Sequence, residues 1–337
     1  MRVRSIGEFG LIERIKKWVT PDDSSVVVGI GDDAAVVEDR PDLYRLITTD
    51  AFVEGVHFRR EFATPWQIGW KAMAANLSDI AAIGGEPRWA VVSVAFSETI
   101  SVEEVEELYR GMNAVSSSFG CSIVGGDTSF SPDRMLISIA VIGEVEKERL
   151  TLRRGAKIGD AICVTGELGG SEAGLQVLKE KGPTDEDVVR RHLEPRPRLR
   201  EARTIGEVCR IHAMIDISDG LSSEIHHICH ESRVGARLFA AKIPICPGAR
   251  EIARKMGRSP MDYALGGGED FELLFTLCPG EVERVRSHLL NNIRTPVTVI
   301  GEIVELEKGV VLVGEDGRER EMPQSGYQHF GAQRNLG

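Results

Sequence analysis

The residues of this chain best suited to chemistry are carboxylates set beside glycines and hydroxyls. Asp32-Asp33 follow Gly29-Ile30-Gly31 after a valine run, and Asp50 closes Leu46-Ile47-Thr48-Thr49-Asp50, a segment read as the end of a strand. Asp79 falls on the small apolar stripe Ala72, Ala75, Asp79, Ala82 at helical spacing, which turns the carboxylate toward buried or half-buried space. Asp127 follows Val124-Gly125-Gly126 at an expected strand end. Asp216 and Asp219 flank Ser218 where a strand turns into a helix, and Glu269-Asp270 follow Gly266-Gly267-Gly268. Each alone reads as a turn residue or a helix cap. As a set they would repel one another in a shared crevice unless hard cations were present. An oxygen-only donor set of this kind suits Mg2+, which also keeps water and substrate phosphates. Backbone N–H groups in the glycine turns at 125–126, 169–170 and 266–268 are of the kind that cradles phosphate oxygens, and Arg153 offers a charge-assisted contact. The chemistry indicated is metal-dependent phosphoryl transfer.

Three other patterns compete for attention. Gly29–Ala34 fits G-x-G-x-x-A, and Asp50 lies roughly 20 residues on, as in a dinucleotide fingerprint. The following AVVEDRPDLY has no helical period and soon meets Pro41, whereas pyrophosphate needs a helix N-terminus there. His226, His227, Cys229 and His230 resemble a metal cluster. Leu221, Ile225, Ile228 and Cys229 form the expected core face of that helix, which puts the histidines largely on the wet side. The basic run RRHLEPRPRLREAR at 190–203 reads as a solvated linker with two prolines rather than a phosphate grip.

The elements that must position these groups fall into two α/β halves. Phe9, Leu11, Ile12, Ile15, Trp18 and Val19 mark an amphipathic helix. Strands are expected at Val26–Ile30, Leu43–Thr49, Trp89–Phe96, Cys121–Val124 and Met135–Val145. A helix opens at Thr64-Pro65 and stops at Gly84-Gly85, and another opens at the capping box Ser101/Glu104 and closes at Gly120. This unit ends near residue 148. Beyond it, strands are expected at Ala161–Thr165, Ala213–Ile217, Phe271–Thr276 and Thr298–Glu305, with helices at 170–181, 197–209, 219–231, 248–256 and 280–290.

The chain has 337 residues, and 52 acids against 41 bases leave a net charge of −11. That balance argues against a nucleic-acid partner but not against anionic substrates. The 36 glycines exceed the ordinary share of about 7% and agree with many tight turns. The six cysteines stand singly with no CxxC, which excludes a zinc ribbon. The N-terminal segment lacks the apolar core of a signal peptide, and no stretch approaches the ~20 apolar residues of a membrane span. A cytoplasmic location with reduced thiols and no membrane partner is the expectation.

Several motifs, taken together, resemble the thiamine-monophosphate kinase family of the aminoimidazole-ribotide-synthetase-like ATP-binding superfamily. They are GEFGLI (7–12), GDDAAV (31–36), TTDAFVEGVHF (48–58), NLSDIAAIGGEP (76–87) and VGGDTS (124–129). RRGAKIGD (153–160), DISDGL (216–221), GGEDFELLF (267–275) and GYQHF (326–330) continue the likeness nearly end to end. The resemblance implies a two-domain α/β (α+β) fold. Residues 1–148 would form an ATP- and Mg2+-binding, dimerising domain, and 149–337 an α/β domain completing the nucleotide and substrate site. N-terminal sheets would pair across a homodimer. The implied reaction is ATP-dependent phosphorylation of thiamine monophosphate to thiamine diphosphate, with several Mg2+ ions and K+ as a further candidate.

On the family motifs, Asp33, Thr49, Asp50, Asp79, Asp127 and Asp216 would hold Mg2+, with Thr48 and Asp219 as further ligands. The catalytic acids would be Asp33, Asp50, Asp79, Asp127 and Asp216. Tyr109, Gly126, Asp127, Arg153 and Ser218 would contact ATP. His57, Glu269 and Tyr327 would line the thiamine-phosphate pocket, with Tyr327 standing where the family often has tryptophan. A phosphate monoester is already mostly ionised at neutral pH, so direct in-line transfer without a phosphoenzyme is expected. The selenophosphate-synthetase relatives use a reactive residue near the N-terminus, whereas the first cysteine here is Cys121. The hydrogenase-maturation relatives use a C-terminal cysteine, whereas this chain ends Asn335-Leu336-Gly337. A catalytically silent nucleotide- or thiamine-phosphate-binding module is the alternative of a different class; so large an acid set argues against it.

Overall fold

Two long helices begin where their first residues dictate. Thr64 accepts from the Gln67 amide, and Gln67 accepts in return from the Thr64 amide. Ser101 and Glu104 form the same reciprocal box. Each cap is worth about 1 kcal/mol. The computed structural model describes residues 2–19, 23–180 and 185–330. The terminal Asn335–Gly337 and residue 181 of one expected helix lie outside them.

The first half runs α1 (Gly7–Lys16), β1 (Val26–Val28), β2 (Ala35–Arg40), β3 (Leu43–Val53), α2 (Pro65–Ala82), β4 (Glu86–Phe96), α3 (Val102–Ser118), β5 (Ser122–Phe130) and β6 (Leu136–Glu146). Its sheet has the order β1-β2-β3-β6-β4-β5, antiparallel except for the β4–β5 pair. Ile137, Ile139 and Val141 of β6 alternate into the core, while Ile47, Trp89 and Val91 stand exposed on the other face. Helices α2 and α3 cross at two glycines. A Cβ at Gly69 would lie 2.0 Å from Leu108 O, and one at Gly111 would lie 1.9 Å from Trp66 O.

The second half adds β7 (Ala161–Thr165), α4 (Gly170–Glu180), α5 (Glu186–Leu193), α6 (Leu199–Val208), β8 (Ala213–Asp216), α7 (Leu221–Ser232) and β9 (Gly235–Phe239). It continues through α8 (Pro247–Lys255), α9 (Pro260–Gly266), β10 (Leu273–Leu277), α10 (Val282–Asn292), β11 (Val297–Val304), β12 (Val310–Val313) and β13 (Glu319–Glu321). This sheet has the order β13-β12-β9-β11-β7-β10-β8. One core cluster joins the halves, with Leu46, Met73 and Ile137 continuous with Leu199, Phe275 and Leu289.

Three expectations change. Strand β3 continues past Asp50 to Val53, and β5 runs through Gly125-Gly126-Asp127 to Phe130. Both acids therefore sit inside strands rather than at their ends. Pairing with β6 and β4 holds polar and glycine residues that local propensity would place in turns. AVVEDR, which lacks helical period, is strand β2. The run at 190–203 is not a solvated linker. Arg191 bonds Asp187 and Glu167 at 2.9 and 3.0 Å, and Arg198 bonds Glu272 at 2.7 Å and Glu201 at 3.0 Å. Arg203 grips Glu146 at 2.6 and 2.7 Å. Trp70 Nε1 donates to Pro195 O at 2.7 Å, so the segment is strapped to α2. Arg198 is paired with the buried Glu201 and Glu272, while Arg191 and Arg203 pair with partly exposed carboxylates, a pairing that composition alone does not reveal.

All six cysteines are free thiols. No helix among the described residues is long and apolar enough to cross a membrane.

Candidate active site

Helix α2 carries the centre of the site. Ser78 Oγ donates to Asp216 Oδ2 at 2.5 Å, and Asp79 Oδ2 accepts from Thr48 Oγ1 at 2.5 Å. Asn76, one turn earlier, accepts from the Asp50 amide at 3.1 Å and ties its own amide to Ala72 O. Carboxylate oxygens of Asp33, Asp79 and Asp216 lie within 4.8 Å of one another. They come from a turn after β1, from the last turn of α2 and from the end of β8. Arg153 donates to Asp33 Oδ1 from Nη2 at 2.6 Å and from Nε at 3.3 Å, and its amide faces Asp32. Asp33 Oδ2 is buried with no hydrogen-bond partner.

The electrostatics are strained. Burial and then the charge of Asp33 push Asp32 to about 7, Asp50 to about 6 and Asp216 to about 7. Burial and the charges of Asp50, Asp216 and Asp33 hold Asp79 well above the carboxylate range. Asp219 is raised to about 7 by burial and Glu8, and its amide donates to the buried Glu224 at 2.8 Å. An orphaned buried carboxylate oxygen among three crowded acids is a donor set that fits a hard divalent cation.

Other expected ligands stand apart from this cluster. Thr49 is exposed, and alternation along β3 turns it to the face opposite Thr48 and Asp50. Asp127 and Gly126 lie on the exposed edge strand β5, where Asp127 accepts from Ser129 Oγ at 3.0 Å. A Cβ at Gly126 would lie 1.8 Å from Val92 O. Tyr109 is half-buried on α3. Ser218 is half-buried just after β8, where its carbonyl accepts from the Glu269 amide at 2.7 Å.

Two of the glycine turns each have a glycine amide held from within the protein. The amides of Gly169 and Ser171 donate to the buried Asp270 at 2.6 and 3.0 Å, and the Gly267 amide donates to Tyr263 O at 3.0 Å. A buried carboxylate needs such donors, and here it takes those the phosphate reading would use.

A second polar group lies beside the acids. Glu269, at φ 64°, accepts from Lys71 Nζ at 2.6 Å. Lys71 also faces His192 Nε2 at 3.4 Å, and His192 Nδ1 faces Ser171 Oγ at 3.0 Å. His57 Nδ1 accepts from the Val53 amide at 3.0 Å. Its ring is 5.0 Å from that of His329, which meets Tyr327 edge-on at 5.2 Å. The amide of Tyr327 donates to Asp219 O at 3.1 Å, and that of His329 to Glu8 at 2.9 Å. The His226–His230 cluster does not converge. His226 Nδ1 donates to Ser222 O, His227 packs on Phe9 at 4.7 Å, and His230 pairs with Glu231. His226 and His227 are half-buried rather than wet.

Residues 31–145 match the AIR synthase related protein, N-terminal domain, and residues 157–314 match its C-terminal domain. The thiamine-monophosphate kinase of Bacillus subtilis (strain 168) is 36% identical over 332 residues, covering 96% of this chain and 99% of the relative. That of Aquifex aeolicus (strain VF5) is 38% identical over 334 residues, covering 98% and 100%. This chain belongs to the thiamine-monophosphate kinase family. A solved structure described as AaThiL complexed with AMPPCP and TMP superposes with a TM-score of 0.82 at 36% identity, covering 98% of this chain and 99% of that one.

In this thiamine-monophosphate kinase family member, sequence reasoning passed over Lys71, His192 and Glu224. Lys71 carries a signal, being a lone cation in the apolar helical run Ile68–Ala82. His192 is hidden among arginines, and Glu224 reads as an ordinary first-turn acid. Their burial alone marks them.

Proposed function

We propose that this chain transfers the γ-phosphoryl group of ATP to thiamine monophosphate, giving thiamine diphosphate and ADP. The convergence of Asp33, Asp79 and Asp216 beside Arg153 supports this reading most directly. Asp33, Asp50, Asp79 and Asp216, with Thr48, would hold Mg2+, which neutralises phosphate charge during transfer. Thr49, Asp127 and Asp219 complete the proposed ligands. Tyr109, Gly126, Asp127, Arg153 and Ser218 would hold the nucleotide, and His57, Glu269 and Tyr327 the acceptor.

An acceptor phosphate oxygen attacks the γ-phosphorus while the bond to the β,γ-bridging oxygen breaks, and ADP leaves with that electron pair. The monoester's second pKa is about 6, so no side chain need remove a proton. The protein's task is to align two polyanions and exclude water. Residues 1–148 are proposed as the nucleotide, Mg2+ and dimerisation domain, and 149–337 as the domain closing the site. The exposed edge β5, with Val124 and Phe130 outward, is the proposed seam of a homodimer.

A coupled assay with ATP, Mg2+ and thiamine monophosphate tests the activity: ADP and thiamine diphosphate should form one to one, and absence of turnover would overturn it. Chiral phosphate analysis should give inversion; retention, or a competent phosphoenzyme, would exclude direct transfer.

A further inference from the structure

The Lys71 ammonium is 3% exposed, deep between α2 and the second half. A buried cation is costly unless paired, and its pairing here is specific. Nζ donates to Glu269 Oε2 at 2.6 Å and faces His192 Nε2 at 3.4 Å. Burial and the neighbouring Lys71 charge hold His192 well below its usual pKa, so the ring is neutral. A neutral ring beside an ammonium presents Nε2 as acceptor, which places its proton on Nδ1. That Nδ1 is 3.0 Å from the buried Ser171 Oγ and 3.5 Å from Glu269 Oε2. Ser171 and His192 therefore fix the imidazole, the imidazole fixes the ammonium, and the ammonium holds one carboxylate oxygen. Glu269 Oε1 takes no hydrogen bond among the described residues, and the Glu269 side chain is 26% exposed.

Glu269 also occupies a left-handed backbone conformation, φ 64°, uncommon for a residue with a Cβ. The same face of α2 carries Ser78 and Asp79 two turns on, so one rigid helix sets both this carboxylate and the acid cluster.

We propose that Lys71, backed by His192 and Ser171, is the positioning residue for Glu269, fixing its carboxylate toward the cationic, amine-bearing body of the phosphorylated acceptor. This rests on the thiamine monophosphate kinase reading above. Lys71 touches no reacting atom; it acts through Glu269 alone and sets acceptor affinity rather than the transfer step.

Steady-state kinetics with thiamine monophosphate and ATP test this in Lys71→Met, Glu269→Gln and the double variant. Lys71→Met should raise KM for thiamine monophosphate about tenfold or more, as expected for loss of a charged hydrogen bond, and leave kcat and KM for ATP near wild type. In the Glu269→Gln background the same substitution should add nothing. An unmoved KM, effects that multiply in the double variant, or a fall in kcat alone would overturn the positioning role. Should Lys71→Met fail to fold, Lys71→Gln, which keeps a neutral donor, carries the same test with a smaller rise in KM. Wild-type protein without turnover would remove the underlying activity; turnover with an unmoved KM removes only this role.

Discussion

Ser78 Oγ lies 2.5 Å from Asp216 Oδ2, so one buried hydrogen bond joins the helix under the first sheet to the last residue of a strand in the second. Ser78 belongs to the same turn of α2 as Asp79, whose carboxylate meets Asp216 across the site. The hydroxyl orients Asp216 and favours its ionised form against burial.

Replacing Ser78 by Ala should weaken Mg2+ use by about 10- to 100-fold, the usual effect of losing a group that orients a metal ligand. The Mg2+ dependence of ADP release measures it. An unchanged Mg2+ requirement would show that Asp216 needs no such support.

Metal removal should act on stability with a definite sign. Asp32, Asp50 and Asp216 sit at about 7, 6 and 7. An unfolded carboxyl titrates near ~3.9, so the folded state binds more protons. That contribution is complete below the unfolded value and is lost as pH rises through the folded one. Metal-free protein should therefore melt lower at pH 8 than at pH 6.5, and Mg2+ should raise Tm more at pH 8. His227, pushed to about 4 by burial, acts oppositely, but mainly below pH 6.5. A Mg2+ gain independent of pH would contradict the cluster's electrostatics.

The α2–α3 crossing predicts a contrast between two glycines. Gly111→Ala places a Cβ 1.9 Å from Trp66 O, a backbone atom that cannot swing away. It should cost about 1–3 kcal/mol or more in denaturant unfolding. Gly206→Ala on α6 meets nothing within 4 Å and should stabilise by about 0.5–1 kcal/mol. Equal effects would argue against the close crossing.

Within the basic run, Arg198 and Arg190 should behave differently. Arg198→Ala strands Glu272, 2% exposed, and should cost about 3–5 kcal/mol. Arg190 pairs with Asp187 at the surface, and Arg190→Ala should change stability by less than about 1 kcal/mol. Thermal melting of the two variants separates a packed strap from a solvated one.

Much of the candidate site was legible in the residues themselves. Carboxylates beside glycines and hydroxyls identified the donor chemistry, and Asp79 on an alanine stripe revealed an inward carboxylate. The boxes at Thr64/Gln67 and Ser101/Glu104 located the helices, because capping is decided within four residues. Strand limits were less legible. Asp50 and Asp127 looked like stops, yet β3 and β5 continue through them because β6 and β4 supply the pairing.

The sequence by itself singled out the carboxylates and hydroxyls proposed to hold a hard cation, and determined that the chain is an α/β enzyme of this family, because these signals are local and carried by residue type. Only the tertiary structure decided which of them meet. Ser78 and Asp216 stand 138 residues apart, and Lys71 and Glu269 stand 198 apart. It turned Thr49 away from Thr48, closed the Gly169 amide onto Asp270, and set Arg198 of the arginine run against the buried Glu201 and Glu272. Charge and hydrogen-bond partners of buried groups are set by whatever packs beside them, and that is settled by closure of the core.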